Sequence, residues 1–575
     1  MILQALKEYY DRKAADPDSG IAPLGWEWKE IPFVFVITED GEFVQIEDTR
    51  EIRGNKKRAK LFRVPQSIVR TRNPAAFILW DKAEYAFPGI AKGTDADKKH
   101  ALFLECLDQY ADQVPSVLSV RRFLTEHFNE SQLHENDNWN EYVQSGAVAT
   151  FRILGHEKPV PCADEFFRVY NEHLSSTSET PDGLCLVTGR KDVISRTHHK
   201  IVGVTGTDKN RGSIVAFNWD AAESFGKKQS YNSPIGHEAE FAYTTALNTL
   251  LASSRQRMQV GDATTVFWSE KPTELEDEFL DLFGEPEKDD PEKGVAAIER
   301  LLSSVRTGAF SHEDETTKFY VLGLAPNSAR ISVRFWQNGT VAEMERRFAD
   351  WFENLRIAHG LRDKEHLSLQ TLLLSIARYN KDRQKWKENI PPNLGGAVMR
   401  SILEGTPYPA TLLSSALQRI KAEREVSYPR AKLIKAFINH NINNERKLNV
   451  SLDKENTNVG YRLGRLFAVL EKIQIAAINP DKTIREKFYA SASTNPVAVF
   501  GNLMRLSGYH LSKLDSDKKG LRIWLEKQIE EIMSGIGVFP PHLSMEEQGM
   551  FAIGYYHQRI ARKADEEPKD TSSAE

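Results

Sequence analysis

The sequence predicts an α+β multidomain protein: a mixed α/β N-terminal region with hairpins, then an all-α C-terminal helical bundle. Three observations lead there. Strand-like apolar runs bounded by turn residues, such as IPFVFVI (31–37), lie only in the first 340 residues. From about 340 to 563 the apolar residues recur at helical spacing. A chain of 575 residues, at ~150 per domain, makes three or four folding units.

The elements follow in order. Ile2, Leu3, Leu6, Tyr9 and Tyr10 recur at helical spacing and predict an opening helix. IPFVFVI and GEFVQIE (41–47) meet at Asp40-Gly41, a pair that favours a hairpin. AFILW (76–80), ATFRILG (149–155), LCLVTG (184–189) and SIVAFN (213–218) read as further strands. Helices are expected over about 98–113, 116–129, 163–173 and 237–257.

Residues 270–293 carry eleven acids against three lysines and read as a solvated helix-and-linker surface. FYVLGLA (319–325) and RISVRFWQ (330–337), joined by Pro326-Asn327-Ser328, predict a second hairpin. Pro391-Pro392, Pro407, Pro480, Pro496 and Pro540-Pro541 punctuate the helices beyond it. The expected division is 1–150 and 151–345 (mixed α/β), 346–448 (helical connection), 449–563 (helical bundle) and 564–575 (disordered acidic tail).

Composition excludes several classes. Hydrophobic residues at 40% and charged residues at 27% are too apolar for a disordered chain. Mean hydropathy is −0.48, and no run approaches the ~18 apolar residues of a membrane span. The opening residues carry acids and read as no secretory signal, so a cytoplasmic location is expected. Cys106, Cys162 and Cys185 are scattered and form no CxxC, which argues against a disulfide framework or a zinc site.

The formal net charge of −5 hides segregation. Residues 53–72 hold eight basic side chains and no acid, with Lys56-Lys57-Arg58-x-Lys60 introduced by Gly54-Asn55. Arg70 and Arg72 follow, beside Ser67, Thr71 and Asn73. Such a set offers charge for phosphates and small polar groups for base edges, or is simply a solvated basic loop. A second set is TGRKDVISRTHHK (188–200), with Arg190, then GTDKNRGS (206–213), with Lys209, Asn210, Arg211, Gly212 and Ser213. Lys227, Lys228, Gln229, Tyr231 and Asn232 complete it. Gln and Asn can probe base edges and Tyr231 could wedge or stack, although a mobile loop accounts for the same residues. A third set, eight bases against three acids over 418–447, could line a single-strand groove or form a plain solvent face. A Debye length of ~8 Å keeps these loops electrostatically distinct from the acids at 270–293.

Catalytic constellations are scarce. No GxxxxGK[ST], HExxH or GxSxG occurs. His198-His199 lacks a nearby third ligand and is not expected to bind metal. Pro17-Asp18 with Glu27-Trp28-Lys29 matches a PD…(D/E)xK nuclease pattern, but Asp18 sits in a Pro/Gly-rich turn. Pro480-Asp481 with Asp517-Lys518-Lys519 is a second match, in helical sequence. No catalytic residue, metal or cofactor is expected. A nuclease and a scaffold without DNA contacts stay as alternatives.

Several long segments together carry a resemblance: residues 1–37, FILWDKAEYAFPG (77–89), LCLVTGRKDVISRTHHKIVGV (184–204), FNWDAAESFGKKQSYNSP (217–234), FYVLGLAPNSARISVRFW (319–336) and EEQGMFAIGYYHQR (546–559). They resemble, in order and to about residue 563, the large subunit of the type I-C CRISPR interference complex, the Csd-type Cascade subunit. The resemblance implies a non-enzymatic partner of CRISPR RNA, target double-stranded DNA and the displaced strand. It implies recognition of a protospacer-adjacent motif, duplex opening and docking of a separate helicase-nuclease. Backbone subunits, the subunit that processes and caps the RNA, and separate small subunits are the implied protein partners. The C-terminal region is similar to that small subunit. A separately made copy starting near Val450 would need a non-AUG codon, because no methionine lies between Met399 and Met504.

Overall fold

The computed structural model describes all residues except 54–55, 71–72, 92–95, 177–181, 208–210, 218, 286–289, 291, 309–314, 329, 443–446, 515–517 and 566–575. The chain forms two compact units. Unit one comprises Met1–Gly203, Asp208–Thr249 and Ser328–Arg330; unit two comprises Val204–Thr207, Leu250–Asn327 and Ile331–Glu575. The expected segment 151–345 is divided between the two.

In unit one the opening helix Ile2–Ala14 buries Ala5, Leu6, Tyr9 and Tyr10, the face its spacing predicts. Strands β1 (Trp26–Glu30), β2 (Phe33–Ile37) and β3 (Phe43–Asp48) follow. Short β4 (Glu51–Arg53) and β5 (Lys56–Arg58) pair antiparallel, and β6 (Leu61–Pro65) returns along β1. With β7 (Trp80–Lys82) and β8 (Val148–Ile153) a four-stranded sheet forms in the order β3-β2-β8-β7, with β2 and β8 parallel. Every residue of β2 is buried, as suits the inside of a sheet. The β2–β3 turn contains Gly41 at φ 90°, where an added Cβ would lie 2.8 Å from the Phe123 nitrogen.

Three strand expectations shrink. Residues 76–79 do not join a strand, because the Phe77 N–H donates to the Asp81 carboxylate (2.9 Å) instead of a ladder. In 184–189 only Leu184 is extended, within β9 (Gly183–Leu184), which pairs with β10 (Lys191–Asp192). The Cys185 N–H bonds the Arg190 carbonyl and Gly189, at φ 68°, closes the turn. Among its described residues (213–217), SIVAFN contributes only a bridge at Ser213, just after β12 (Arg211–Gly212), which pairs with β11 (Ile201–Val202). The run packs instead through Val215 against Cys185, Ile235 and Ala239.

The helix expected over 237–257 spans His237–Ala252. Ser253 Oγ accepts the N–H groups of Arg255 and Gln256 (3.2 and 3.1 Å), which ends it. The chain then forms β13 (Arg257–Val260) and β14 (Ala263–Ser269) in unit two, strands the sequence did not mark. They continue into β15 (Lys318–Asn327) and β16 (Arg330–Thr340), neighbours as the second hairpin predicts. The acidic stretch supplies the helix Glu274–Phe283, whose Leu275, Phe279, Leu282 and Phe283 face the core. Its Glu276 is also inside, bonded by Ser269 Oγ (2.5 Å) and Gln256 Nε2 (2.6 Å).

After Thr340 the described residues contain no strand. Thr340 and Glu343 form a capping box that starts the helix Val341–Leu355. The two longest helices of the unit, Val459–Ile478 and Met545–Asp565, approach backbone to backbone. A Cβ on Gly464 would fall 2.0 Å from the Phe551 carbonyl oxygen, and one on Gly554 2.0 Å from that of Tyr461. Buried Arg465 then reaches Glu531 through two bonds (3.0 and 2.7 Å) and Gln558 through a third (3.0 Å).

Gly464→Ala should therefore force the helices apart. The expected loss is on the order of 2 kcal/mol or more, read as a lowered thermal midpoint, whereas Gly501→Ala, at an open position, should be neutral or stabilising.

Candidate nucleic-acid interface

The first basic set is a hairpin, not a loop. Arg53 pairs with Lys56 and Ile52 with Lys57, so the connection shrinks to Gly54-Asn55, outside the described residues. Gly-Asn is a known two-residue hairpin signal. Lys57 and Lys60 are exposed, and Arg58 reaches Glu30 (3.1 Å) while staying open to solvent. Lys56 lies on β5; Arg72, Lys209 and Asn210 fall outside the described residues.

Arg70 is committed within the chain. Its guanidinium lies 3.8 Å from the ring centres of both Phe77 and Tyr85, bonds the Ala75 carbonyl (2.7 Å) and pairs with buried Asp81. Asn73, three residues on, is exposed.

The second set forms one layer of loops. Ile194 bridges to Gly236, Ile201 pairs with Gly212, and the Ser230 N–H bonds the Arg196 carbonyl (3.2 Å). Arg190 and Arg211 face solvent. Gly212 and Ser213 are buried, with Ser213 Oγ accepting from Lys200 (2.8 Å).

His199 ties the first set to this layer. Its Nε2 lies 2.8 Å from the Ser67 carbonyl and its Nδ1 3.1 Å from Glu240 Oε2, so both nitrogens face acceptors, as an imidazolium requires. Burial alone would lower its pKa. The Glu240 bond and charge, the Ser67 carbonyl and the Glu27 charge outweigh burial and raise it. Neighbouring His198 is neutralised by burial and bonds Tyr243 OH (2.7 Å). The paired histidines are thus fastening groups.

Lys227, Lys228, Gln229, Tyr231 and Asn232 surround a turn whose tip the sequence reading passed over. Ser224 bridges to Lys227, with Phe225 (φ 52°) and Gly226 (φ 70°) between them, both left-handed as a type I′ turn requires. The Asn232 amide braces it, accepting from Ser224 N–H (3.0 Å) and donating to the Lys227 and Gln229 carbonyls (2.8 and 2.9 Å). Asn232 is therefore a bracket. Tyr231 and Gln229 are half-buried; Lys227 and Lys228 are exposed.

Phe225 is 98% exposed. A left-handed Phe costs about 1–2 kcal/mol and forgoes the roughly 1.5–3 kcal/mol its burial would bring, so the side chain does nothing for the fold. The signal in sequence was Ser-Phe-Gly-Lys, an aromatic directly before a turn glycine. Also in this unit, Trp219 is 42% exposed and carries the Arg330 guanidinium 3.6 Å over its ring.

The third set thins on folding. Arg430, Lys432 and Lys435 are buried on the helix Tyr428–Asn441, bonded to the carbonyls of Ser375 (2.8 Å), Glu365 (2.8 Å) and Asn354 (3.2 Å). Turned inward, these cations are not on a face that could track a nucleic-acid strand. Of the nuclease-like residues, Asp18 sits in the turn Pro17–Ser19 and Glu27 on β1, accepting from Ser67 Oγ (3.0 Å). Asp517 of the second match lies outside the described residues. Among the described residues no group of three or more His, Cys, Asp or Glu is placed to hold a metal ion, and no helix is long and apolar enough to cross a membrane.

A scan against protein families matches the CRISPR-associated protein model Cas_Csd1 over residues 6–563. The chain belongs to the Csd1 family of CRISPR-associated proteins. The resemblance read from its long motifs and the family match agree over nearly the whole length. No curated protein matches the chain.

The His199–Glu240 tie has a pH signature. Its raised pKa makes the His199 contribution full below the ordinary ~6.5 and lost as pH rises through the folded value. Glu240, lowered despite burial by its bonds to His199, contributes above ~4.3 and loses this on acidification. Glu240→Gln should flatten the alkaline limb of thermal midpoint against pH; an unchanged limb would remove the pair from the balance.

Proposed function

We propose that this Csd1-family chain is the large subunit of a type I-C CRISPR RNA-guided surveillance complex. It recognises a protospacer-adjacent motif in double-stranded DNA, promotes duplex opening and R-loop formation, and acts without catalysis of its own. The observation that carries this reading is that unit one presents both exposed cations, Lys57, Arg190, Arg211, Lys227 and Lys228, and a nearly fully exposed aromatic, Phe225. Unspecific phosphate contacts need the first, and stacking on an unpaired base needs the second.

The magnitudes agree. Guide pairing reads the target, so the protein must only start strand separation, at about 1.4 kcal/mol per base-pair step. One aromatic stack is worth about 1–3 kcal/mol. Phe225 alone thus offsets the opening of one step, and phosphate contacts hold the duplex while guide pairing extends. The helical C-terminal region then holds the displaced strand and, with the rest of the complex, presents the docking surface for the helicase-nuclease in the cytoplasm. The partners in this reading are the CRISPR RNA, the backbone subunits, the RNA-processing subunit and separate small subunits.

Two tests separate the contributions. Lys57→Glu with Arg58→Glu in the reconstituted complex should weaken duplex binding about equally for every sequence and reduce the salt slope by roughly one per lost contact; unchanged binding takes this hairpin out of the interface. Phe225→Asn, which suits the left-handed turn, should slow opening of a closed duplex about tenfold and leave a pre-opened bubble target nearly unaffected. Equal opening by both proteins would discard the wedge. Magnesium-dependent cleavage by the chain, lost on Glu27→Ala, would replace the whole reading with a nuclease.

A further inference from the structure

Unit two contains a cavity of about 540 Å³ walled by the helices Lys293–Thr307 and Val341–Leu355, residues 356–367 and the start of Tyr428–Asn441. Its size falls within the range of small-molecule sites. One wall is apolar: Ile298, Leu302, Phe352, Leu355 and Leu367. The lining also holds two polar side chains taken out of water, Lys432 and His366, each 6% exposed.

Neither is satisfied as buried groups ordinarily are. Among the described residues the Lys432 ammonium has one acceptor, the Glu365 carbonyl at 2.8 Å, which also accepts from Tyr428 OH (3.3 Å). No described carboxylate forms an ion pair with it, and the Tyr428 ring lies 4.9 Å away. His366 Nε2 has no hydrogen-bond partner. The imidazole is held against Gly294, where an added Cβ would come within 2.7 Å of the ring. Burial, opposed by the Glu365 charge and aided by Lys435 and Arg356, pushes the Lys432 pKa down to about 8, and burial with the Lys432 charge, opposed by Glu285, pushes His366 down to about 4. The Lys432 ammonium, buried at a partly apolar cavity, feels the Glu365 charge but is bonded by no carboxylate among the described residues. Exposed charges at the cavity balance, Arg306 and Arg356 against Glu299 and Glu365, which disfavours a polyanion.

We propose that this cavity binds an amphipathic monoanion, a carboxylate head on Lys432 with a hydrocarbon body along Ile298, Leu302 and Phe352. The charge to be met is single, and the apolar wall lies within the same cavity. The site is separate from the residues assigned to DNA and is independent of that reading.

Calorimetry and thermal unfolding of the full chain with decanoate, decanol and decylamine test it. Decanoate should bind and raise the unfolding midpoint, while decanol and decylamine should not. Lys432→Met, which retains the volume, should weaken decanoate binding by at least about tenfold, as loss of a charge-assisted bond does. Leu302→Trp, which fills the apolar end and leaves both polar groups in place, should weaken it as well. Equal binding of decanol, no binding of decanoate, or decanoate binding unchanged in both variants would each overturn the proposal.

Discussion

The loop layer of unit one depends on a buried charge pair. Among the described residues of this layer few are both apolar and buried, Cys185, Ile194, Ile201 and Ile235, and the apolar cluster there is Cys185, Ile235 and Ala239. Ordering a residue costs about 1–2 kcal/mol, and one ordinary hydrogen bond returns about 1 kcal/mol, so strong polar ties must carry the layer. Glu240 supplies them, from a helix rooted among buried Phe241, Ala242 and Tyr243. It holds the His199 backbone N–H (2.7 Å) and ring together, and the ring holds Ser67. Asn248, two turns along, does the same for Val202 N–H (2.8 Å) and the Lys200 carbonyl (3.2 Å). Loops fastened from below leave their outer side free of structural duty, which is where Arg190, Arg211, Lys227 and Phe225 stand.

Charge counting by segment succeeds or fails according to burial. Lys57, Arg58 and Lys60 stay in solvent because the two strands beside them are three residues each, too short to enclose a core. The run at 430–435 alternates with Ala431, Leu433, Ile434 and Ala436 on a helix enclosed on nearly all sides. Its cations are drawn inside, where backbone carbonyls are the available partners. Similar densities of Lys and Arg in sequence therefore describe opposite things, a solvent-facing hairpin and the inner bonding of a bundle.

Much of the fold was legible where local chemistry decides. Asp40-Gly41 marked the β2–β3 turn, Pro326-Asn327-Ser328 separated β15 from β16, and helical spacing held from 340 onward. β13 and β14 were not legible, because buried Thr264 and Thr265 break the apolar pattern. The Thr264 hydroxyl is satisfied by the Thr205 N–H (3.0 Å), a residue far away in sequence. At the candidate interface the exposed lysines were visible. Arg70 was not separable from them, since its partners Phe77, Asp81 and Tyr85 come together only in the folded chain. Phe225 escaped because an aromatic in sequence is presumed core, and only the left-handed turn turns it outward.

Phe225 and Lys432 are opposite departures from the same rule. Folding drives aromatics in and leaves ammonium groups in water, because each placement lowers the free energy of the isolated chain. An aromatic held in solvent on a strained turn, and an ammonium held in a cavity with one carbonyl, each leave an interaction unmade. The surrounding structure holds both in place: Asn232 brackets the Phe225 turn, and Lys432 sits on the helix Tyr428–Asn441 among buried neighbours. A group from another molecule would complete each, and the physics specifies its kind: a flat π-face for Phe225, a single negative charge for Lys432.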